Sequence, residues 1–200
     1  MNKNIKLLMT LGVIVICLFF WSISIINKGI RMDENVNAAW SQVLNTYQRR
    51  SDLVPNLVAV VKGYATHESE TLDAVISARA RATQITISPD LLSNPQAMKA
   101  FNNAQNELGN TLSRLIAVSE NYPDLKANEN FLSLQSQLEG TENRIAVARK
   151  DFIEAVQEFN SYFRIIPNRW ILKTFSDLSY KENFTITEQA QQVPIVDFEK

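Results

Sequence analysis

Leu7 to Ile26 reads LLMTLGVIVICLFFWSISII, a run without a single charged residue, and it limits the possible folds more than any other feature. At about 1.5 Å per residue, a helix of about 20 residues spans the roughly 30 Å hydrocarbon core of a bilayer. Lys3 and Lys6 flank one end, and Lys28 and Arg31 the other. A cleaved signal peptide has a shorter apolar core that stops at small residues. Ser22-Ile23-Ser24 fits that pattern poorly, because the apolar run continues past it. A lipoprotein signal needs a small residue just before its cysteine, and Ile16 precedes Cys17. The run therefore reads as an uncleaved anchor that meets the lipid bilayer through residues 7–26. The flanking charges nearly balance, leaning to an N-terminus inside and a domain outside. Arg49 and Arg50, not far beyond, make that lean a weak one.

The rest of the chain has the marks of long helices. Gly 5 and Pro 6 are few for 200 residues, which disfavours a turn-rich β fold. Net charge is -1 with acids and bases interspersed. That offers no basic face for nucleic acid and no polybasic attraction to a membrane surface. Cys17 is the only cysteine, so no internal disulfide is available and the redox compartment stays undecided.

Past the anchor, Val36, Trp40, Val43, Tyr47, Arg50, Val54, Leu57, Val61 and Tyr64 recur at alternating spacings of four and three. That is a heptad seam, and only Arg50 breaks its apolar chemistry. Pro55 lacks a backbone donor and predicts a bend near Asp52. Glu68 to Thr83, with Leu72, Val75, Ile76 and Arg79, predicts another helix. Tyr64–Glu70 reads equally as a turn or as continuous helix. Ile85-Thr86-Ile87-Ser88-Pro89-Asp90 is a breaker, and Ser93-Asn94-Pro95 predicts a helix cap with proline in the first turn. A second seam holds Met98, Phe101, Gln105, Leu108, Leu112, Leu115, Ser119 and Tyr122, closed by Pro123-Asp124. A third holds Phe131, Leu134, Leu138, Thr141, Ile145, Ala148, Phe152, Ala155, Phe159 and Tyr162. Gly140 inside it predicts close helix packing, since glycine otherwise costs about 1 kcal/mol against alanine. Trp170, Phe175 and Leu178 predict a short turn packed back on the bundle, and Phe184–Phe198 an extended tail.

The fold class is thus all-α: an N-terminal transmembrane helix followed by an antiparallel bundle of three to four long helices. The divisions expected are an anchor over 1–30, a bundle over 31–180 and an extended tail over 181–200.

Chemistry is sparse. His67 is the only histidine; it adjoins Glu68 and Glu70, but no second ligand stands at metal-binding spacing. Cys17 sits in the apolar run, and neither a glycine-framed serine nor a Gly-rich phosphate loop occurs. Asp52, Glu139, Glu142 and Asp151 lie in helical charge patterns, where solvated faces are the default. Asn183-Phe184-Thr185 matches a glycosylation acceptor, a triplet common by chance. No catalytic, cofactor-binding or metal-binding residue is assigned, and the chain reads as no enzyme. Arg50 is the sharper feature, with Arg79, Glu142, Asn143, Arg144 and Arg149 also near seam positions. A charge facing a helix interface must find a partner or stay solvated. Arg50 or Arg79 is expected to pair with Glu142 across two helices and fix their register. The alternative has Arg50 snorkelling from the bundle edge.

Val36-Asn37-Ala38-Ala39-Trp40 followed by Tyr47-Gln48-Arg49-Arg50-Ser51-Asp52-Leu53-Val54-Pro55-Asn56-Leu57 resembles the first helix of bacterial LemA proteins. The likeness continues through Val61–Glu68, Leu134–Arg149 and the closing Val193-Pro194-Ile195-Val196-Asp197-Phe198. It implies a membrane-anchored helical bundle of the bacterial cell envelope, and it brings no catalytic residues. The function expected is that of a non-enzymatic interaction or scaffold protein at the inner membrane, its bundle facing out of the cytoplasm. Other envelope proteins, or a second copy, are the expected partners. A ligand sensor with a pocket between helices is the alternative.

Overall fold

The computed structural model describes residues 3–65, 67–84 and 92–184. Every regular element among them is helical. They are α1 (Lys3–Tyr64), α2 (Ser69–Gln84), α3 (Pro95–Ser119), the single turn α4 (Pro123–Lys126), α5 (Glu129–Arg164) and α6 (Asn168–Phe175). The breaker at Ile85–Asp90 and the tail beyond Phe184 lie outside the described residues.

The apolar run forms the first part of α1, and among the described residues α1 is the one helix long and apolar enough to cross a membrane. It enters the bundle without interruption. The chain is therefore all-α as expected, a spanning-length helix carried on into an antiparallel bundle. α1 passes through Pro55 and ends at Tyr64, so the open question over Tyr64–Glu70 resolves to a break. Asn94 caps α3 as its sequence predicts: its side-chain oxygen accepts from the amides of Gln96 and Ala97, both at 3.1 Å. Asn128 caps α5 in the same way, accepting from Phe131 N at 3.0 Å.

α1 and α5 are the long antiparallel pair. Tyr64 meets Asn128, Arg50 meets Glu142, and Ile25 meets Tyr162, so one register runs along their shared length. α2 and α3 form a hairpin against them, with Arg81 and Glu107 paired at 2.6 Å on its outer face. The seams close on each other in two clusters. One gathers Val54, Leu57, Val61, Leu72, Leu108, Leu115, Phe131 and Leu138. The other gathers Val36, Trp40, Val43, Tyr47, Phe101, Ile145, Phe152 and Phe159. Trp40 is the hub of the second, its ring centroid 5.3 Å from that of Phe101 and 5.1 Å from that of Phe152.

Three expectations are corrected. Tyr64 and Ile76 face solvent, because Ala78 and Ala82, not Ile76, complete the α2 stripe with Leu72 and Val75. Trp170 and Phe175 are exposed; Leu178 packs as expected, and Leu172 takes the place of the two aromatics in holding α6 to the bundle. Gly140 stands in the open, with no atom within 4 Å of where its Cβ would be. It is not a close-packing site. Beyond α6 the described chain is tied down as far as Phe184. Asn160 and Lys181 exchange side-chain-to-backbone hydrogen bonds at 2.9 and 3.0 Å, Lys181 Nζ reaches Asp33 at 2.7 Å, and Phe184 stacks on Trp40 and Phe152.

Two substitutions check this packing by denaturation of the detergent-solubilised chain, followed by circular dichroism. Gly140→Ala should raise stability by about 0.5–1 kcal/mol, because the site has room and alanine loses less entropy in a helix. Phe152→Ala, emptying a fully buried position, should lower it by about 3–5 kcal/mol.

Candidate functional site

The two apolar clusters are separated by a polar layer. Each seam supplies a polar residue at this level: Arg50 from α1, Gln105 from α3 and Thr141 from α5, all buried. Arg50 is the centre of the layer. Its Nη1 donates to Glu142 Oε1 at 3.1 Å and Oε2 at 3.4 Å. Its Nη2 donates to Gln105 twice, to the main-chain oxygen at 2.8 Å and to Oε1 at 2.7 Å. The guanidinium carbon lies 4.9 Å from the Tyr47 ring centroid. Gln105 in turn donates to Ala82 O on α2 at 3.4 Å, so four helices meet through one cation. Arg50 Nε alone is without a partner.

Of the two expectations for Arg50, the cross-helix pair with Glu142 is the one found. The Arg50 side chain is only 4% exposed, which excludes snorkelling, whereas that of Glu142 is 45% exposed. Arg79 does something else. Pro55 has no amide hydrogen, so the carbonyl four residues earlier, at Ser51, loses its helical donor. Arg79 Nε supplies the replacement at 2.9 Å. An arginine on α2 therefore repairs the proline gap in α1.

The remaining residues singled out by sequence are scattered. His67 is exposed in the α1–α2 connection, while Glu68 accepts from the Tyr122 hydroxyl at 3.1 Å. Asp52 accepts from Gln48 and Glu139 from Gln135, each within one helix. Asp151 and Arg144 face solvent. Cys17 is exposed on the apolar part of α1. Among the described residues no three His, Cys, Asp or Glu side chains converge as a metal site.

Over the Arg50 layer, α3 and α5 part to leave a groove. Its central section, about 670 Å³, is lined by Tyr47, Arg50, Asn106, Glu107, Glu142 and Arg149 among others. It is continued one way past Leu112, Ile116 and Leu138; the other way a trough runs on along α5 alone, past Ile145, Lys150 and Ile153. The part walled by both helices, Leu138 to Arg149 on α5, is about 17 Å of helix, and the trough carries it to about 28 Å at Gln157. Cations and anions alternate along it, and burial pushes the Tyr47 phenol up against the opposing pull of Arg149 and Arg50. Arg149 itself lies over the Phe184 ring, its guanidinium carbon 4.4 Å from the centroid. The groove's lining mixes charged side chains with apolar ones. Its chemistry is that of a mixed-charge surface with apolar anchors. Gln105 and Thr141 stand in the seams as ordinary members, and nothing in the spacing of separate seams marks them as level with Arg50.

A bilayer-length apolar helix that is also the first helix of a bundle defines a single-pass membrane-associated helical protein. The LemA family profile matches residues 39–198, and the chain belongs to the LemA family. Its relatives include magnetosome proteins MamQ 1 and MamQ 2 of Paramagnetospirillum magneticum (strain AMB-1), each 25% identical over 187 residues, covering 86% of this chain and 66% of the relative. Magnetosome protein MamQ of Magnetospirillum gryphiswaldense is 24% identical over 173 residues, covering 78% of this chain and 64% of its own. The chain thus spans just under two-thirds of the length of these relatives.

Arg79→Met should cost about 1–2 kcal/mol by leaving the Ser51 carbonyl unsatisfied. Adding Pro55→Ala returns a donor to that carbonyl and should recover most of the loss. A double-mutant cycle by chemical denaturation reads the coupling; equal costs of Arg79→Met with and without Pro55 would remove the repair role. Glu142→Ala should cost about 1–3 kcal/mol, less than the loss of a fully buried partner, because water still reaches that end of the Arg50 fork.

Proposed function

We propose that this chain is a non-enzymatic scaffold of the bacterial inner membrane, with its bundle on the extracytoplasmic side and the α3–α5 groove as its docking surface. The groove is the observation that carries the reading. A track of about 28 Å along α5, walled by α3 over about 17 Å of it at the rise of an α-helix, suits the apolar face of a partner helix lying in it. Ile116 and Ile153, half-buried along it, would supply apolar anchors, and Glu139, Glu142, Arg149 and Lys150 the pairing charges that set register. The kinship with magnetosome proteins supports a membrane-associated role, without assigning magnetosomes to this chain.

A ligand sensor is the competing reading, favoured by the groove's volume alone. Small-molecule sites of about 300–1,000 Å³ are mostly apolar, with a few polar groups to orient the ligand. Here both signs of charge line an open channel, and Arg50 already spends its donors on Glu142 and Gln105. A polypeptide with alternating charge fits that lining better.

A photo-crosslinking amino acid placed at Asn106 or Ala146, both exposed along the groove, tests the reading in intact membranes. The expected result is a discrete crosslinked species from both positions and none from Leu132, outside the groove. Recovery of uncrosslinked monomer alone from Asn106 and Ala146 would overturn it.

A further inference from the structure

The membrane-proximal end of the bundle carries apolar side chains that the core does not use. The Tyr162 hydroxyl donates to Ile25 O at 3.1 Å, which sets the last turns of α5 level with the end of the apolar run. Lys28 Nζ lies over the same ring, 5.0 Å from its centroid. The chain then continues through Ile165 and Ile166 into α6. Leu172 fastens α6 to α1 at Gly29, where an added Cβ would stand 2.9 Å from Leu172 Cδ2. Gly29 lies about 4.5 Å along the helix past Ile26, and each headgroup zone is about 5–7 Å deep. With the run centred in the bilayer, α6 is therefore held at headgroup height.

What α6 presents there fits lipid. Ile165, Ile166, Trp170 and Phe175 are all more than half exposed, a cluster that would be an unoccupied apolar patch in water. Arg164, Arg169 and Lys173 stand among them, and no acidic residue occurs between Tyr162 and Phe175. The chain's net charge of -1 hides this local excess. Tryptophan favours the bilayer interface, and long basic side chains can bury their stems there while their charges reach phosphate. Anionic headgroups add attraction for each basic residue near the surface.

We propose that Ile165–Phe175 is a second membrane contact, with α6 lying in the headgroup zone and Ile166 and Trp170 inserted beside α1. The apolar run alone fixes the height of the bundle and leaves it free to rotate about the α1 axis. A contact displaced from that axis stops the rotation and gives the bundle one face toward lipid. This holds on whichever side of the membrane the bundle stands, and it does not rest on the groove.

Nitroxide labels attached in a Cys17→Ser background test it, with the full chain reconstituted into vesicles of phosphatidylethanolamine and phosphatidylglycerol. Ile166→Cys and Trp170→Cys carry the probes, and Val147→Cys, exposed on α5 away from α6, is the aqueous reference. The ratio of collisions with oxygen to collisions with a water-soluble nickel chelate should be several-fold higher at both probe positions than at 147. A ratio equal to that at 147 would place α6 in water and overturn the proposal. Exclusion of both reagents with spin–spin broadening would also overturn it, showing that a second copy covers the patch.

Discussion

α1 has to satisfy two solvents with one unbroken helix. Its first part, exposed to its tips in Leu7, Leu11, Ile14, Leu18 and Phe19, is stable only where lipid replaces water around it. Its second part has a narrow seam covered by α5 and the α2–α3 hairpin, with Leu172 of α6 and Phe184 closing on it at Gly29 and Trp40. No linker separates the two, so every feature of the bundle has a height above the membrane counted in helical rise. Measured from Ile26, Arg50 stands about 36 Å out and Tyr64 about 57 Å. Gly29 is where the two regimes meet: on one side of it α1 touches lipid, and at it α1 receives Leu172.

Within the bundle the Arg50 layer decides register. An apolar seam tolerates a slide by one heptad, because leucine against valine differs little from valine against leucine. A buried guanidinium does not. If α5 slid, Arg50 would face an apolar position and lose Glu142, and a buried charge without a partner is strongly destabilising. Replacing a whole buried polar layer by apolar residues is often neutral in stability, so the layer acts as a specificity device rather than a source of strength. Gln105 extends the same constraint to α3 and, through Ala82 O, to α2.

Much of this was legible in the sequence, because heptad spacing and capping residues act locally. The three seams, the Asn94-Pro95 cap and the odd chemistry of Arg50 needed no partner to be recognised. What failed needed the other helices in place. Gly140 was read as a packing site from residue type alone, but its face of α5 meets no neighbour. Ile76 was placed inward when small residues, Ala78 and Ala82, had claimed the contact. Arg79 looked like a candidate for Glu142, and its target, a carbonyl freed by Pro55, is a backbone atom no side-chain pattern marks. The anchoring of Phe184 on Trp40 is a long-range contact between a tail and the first helix, which periodicity cannot report.

Height also restricts what the proposed groove could bind. With Arg50 opposite Glu142, the section from Gln157 to Leu138 lies about 15–40 Å beyond Ile26 along α1. A soluble partner would reach it only by diffusion from the bulk. A partner anchored in the same bilayer, with its own helix rising to that height, would search two dimensions at a raised effective concentration. It gains fully only if the groove faces sideways at a fixed angle, because a bundle free to spin about α1 presents the groove for a fraction of the time and loses affinity by that fraction. An offset contact through α6 would remove that loss without touching the groove. The apolar residues left bare on α6, and the mixed charges left open between α3 and α5, then answer to one geometric requirement.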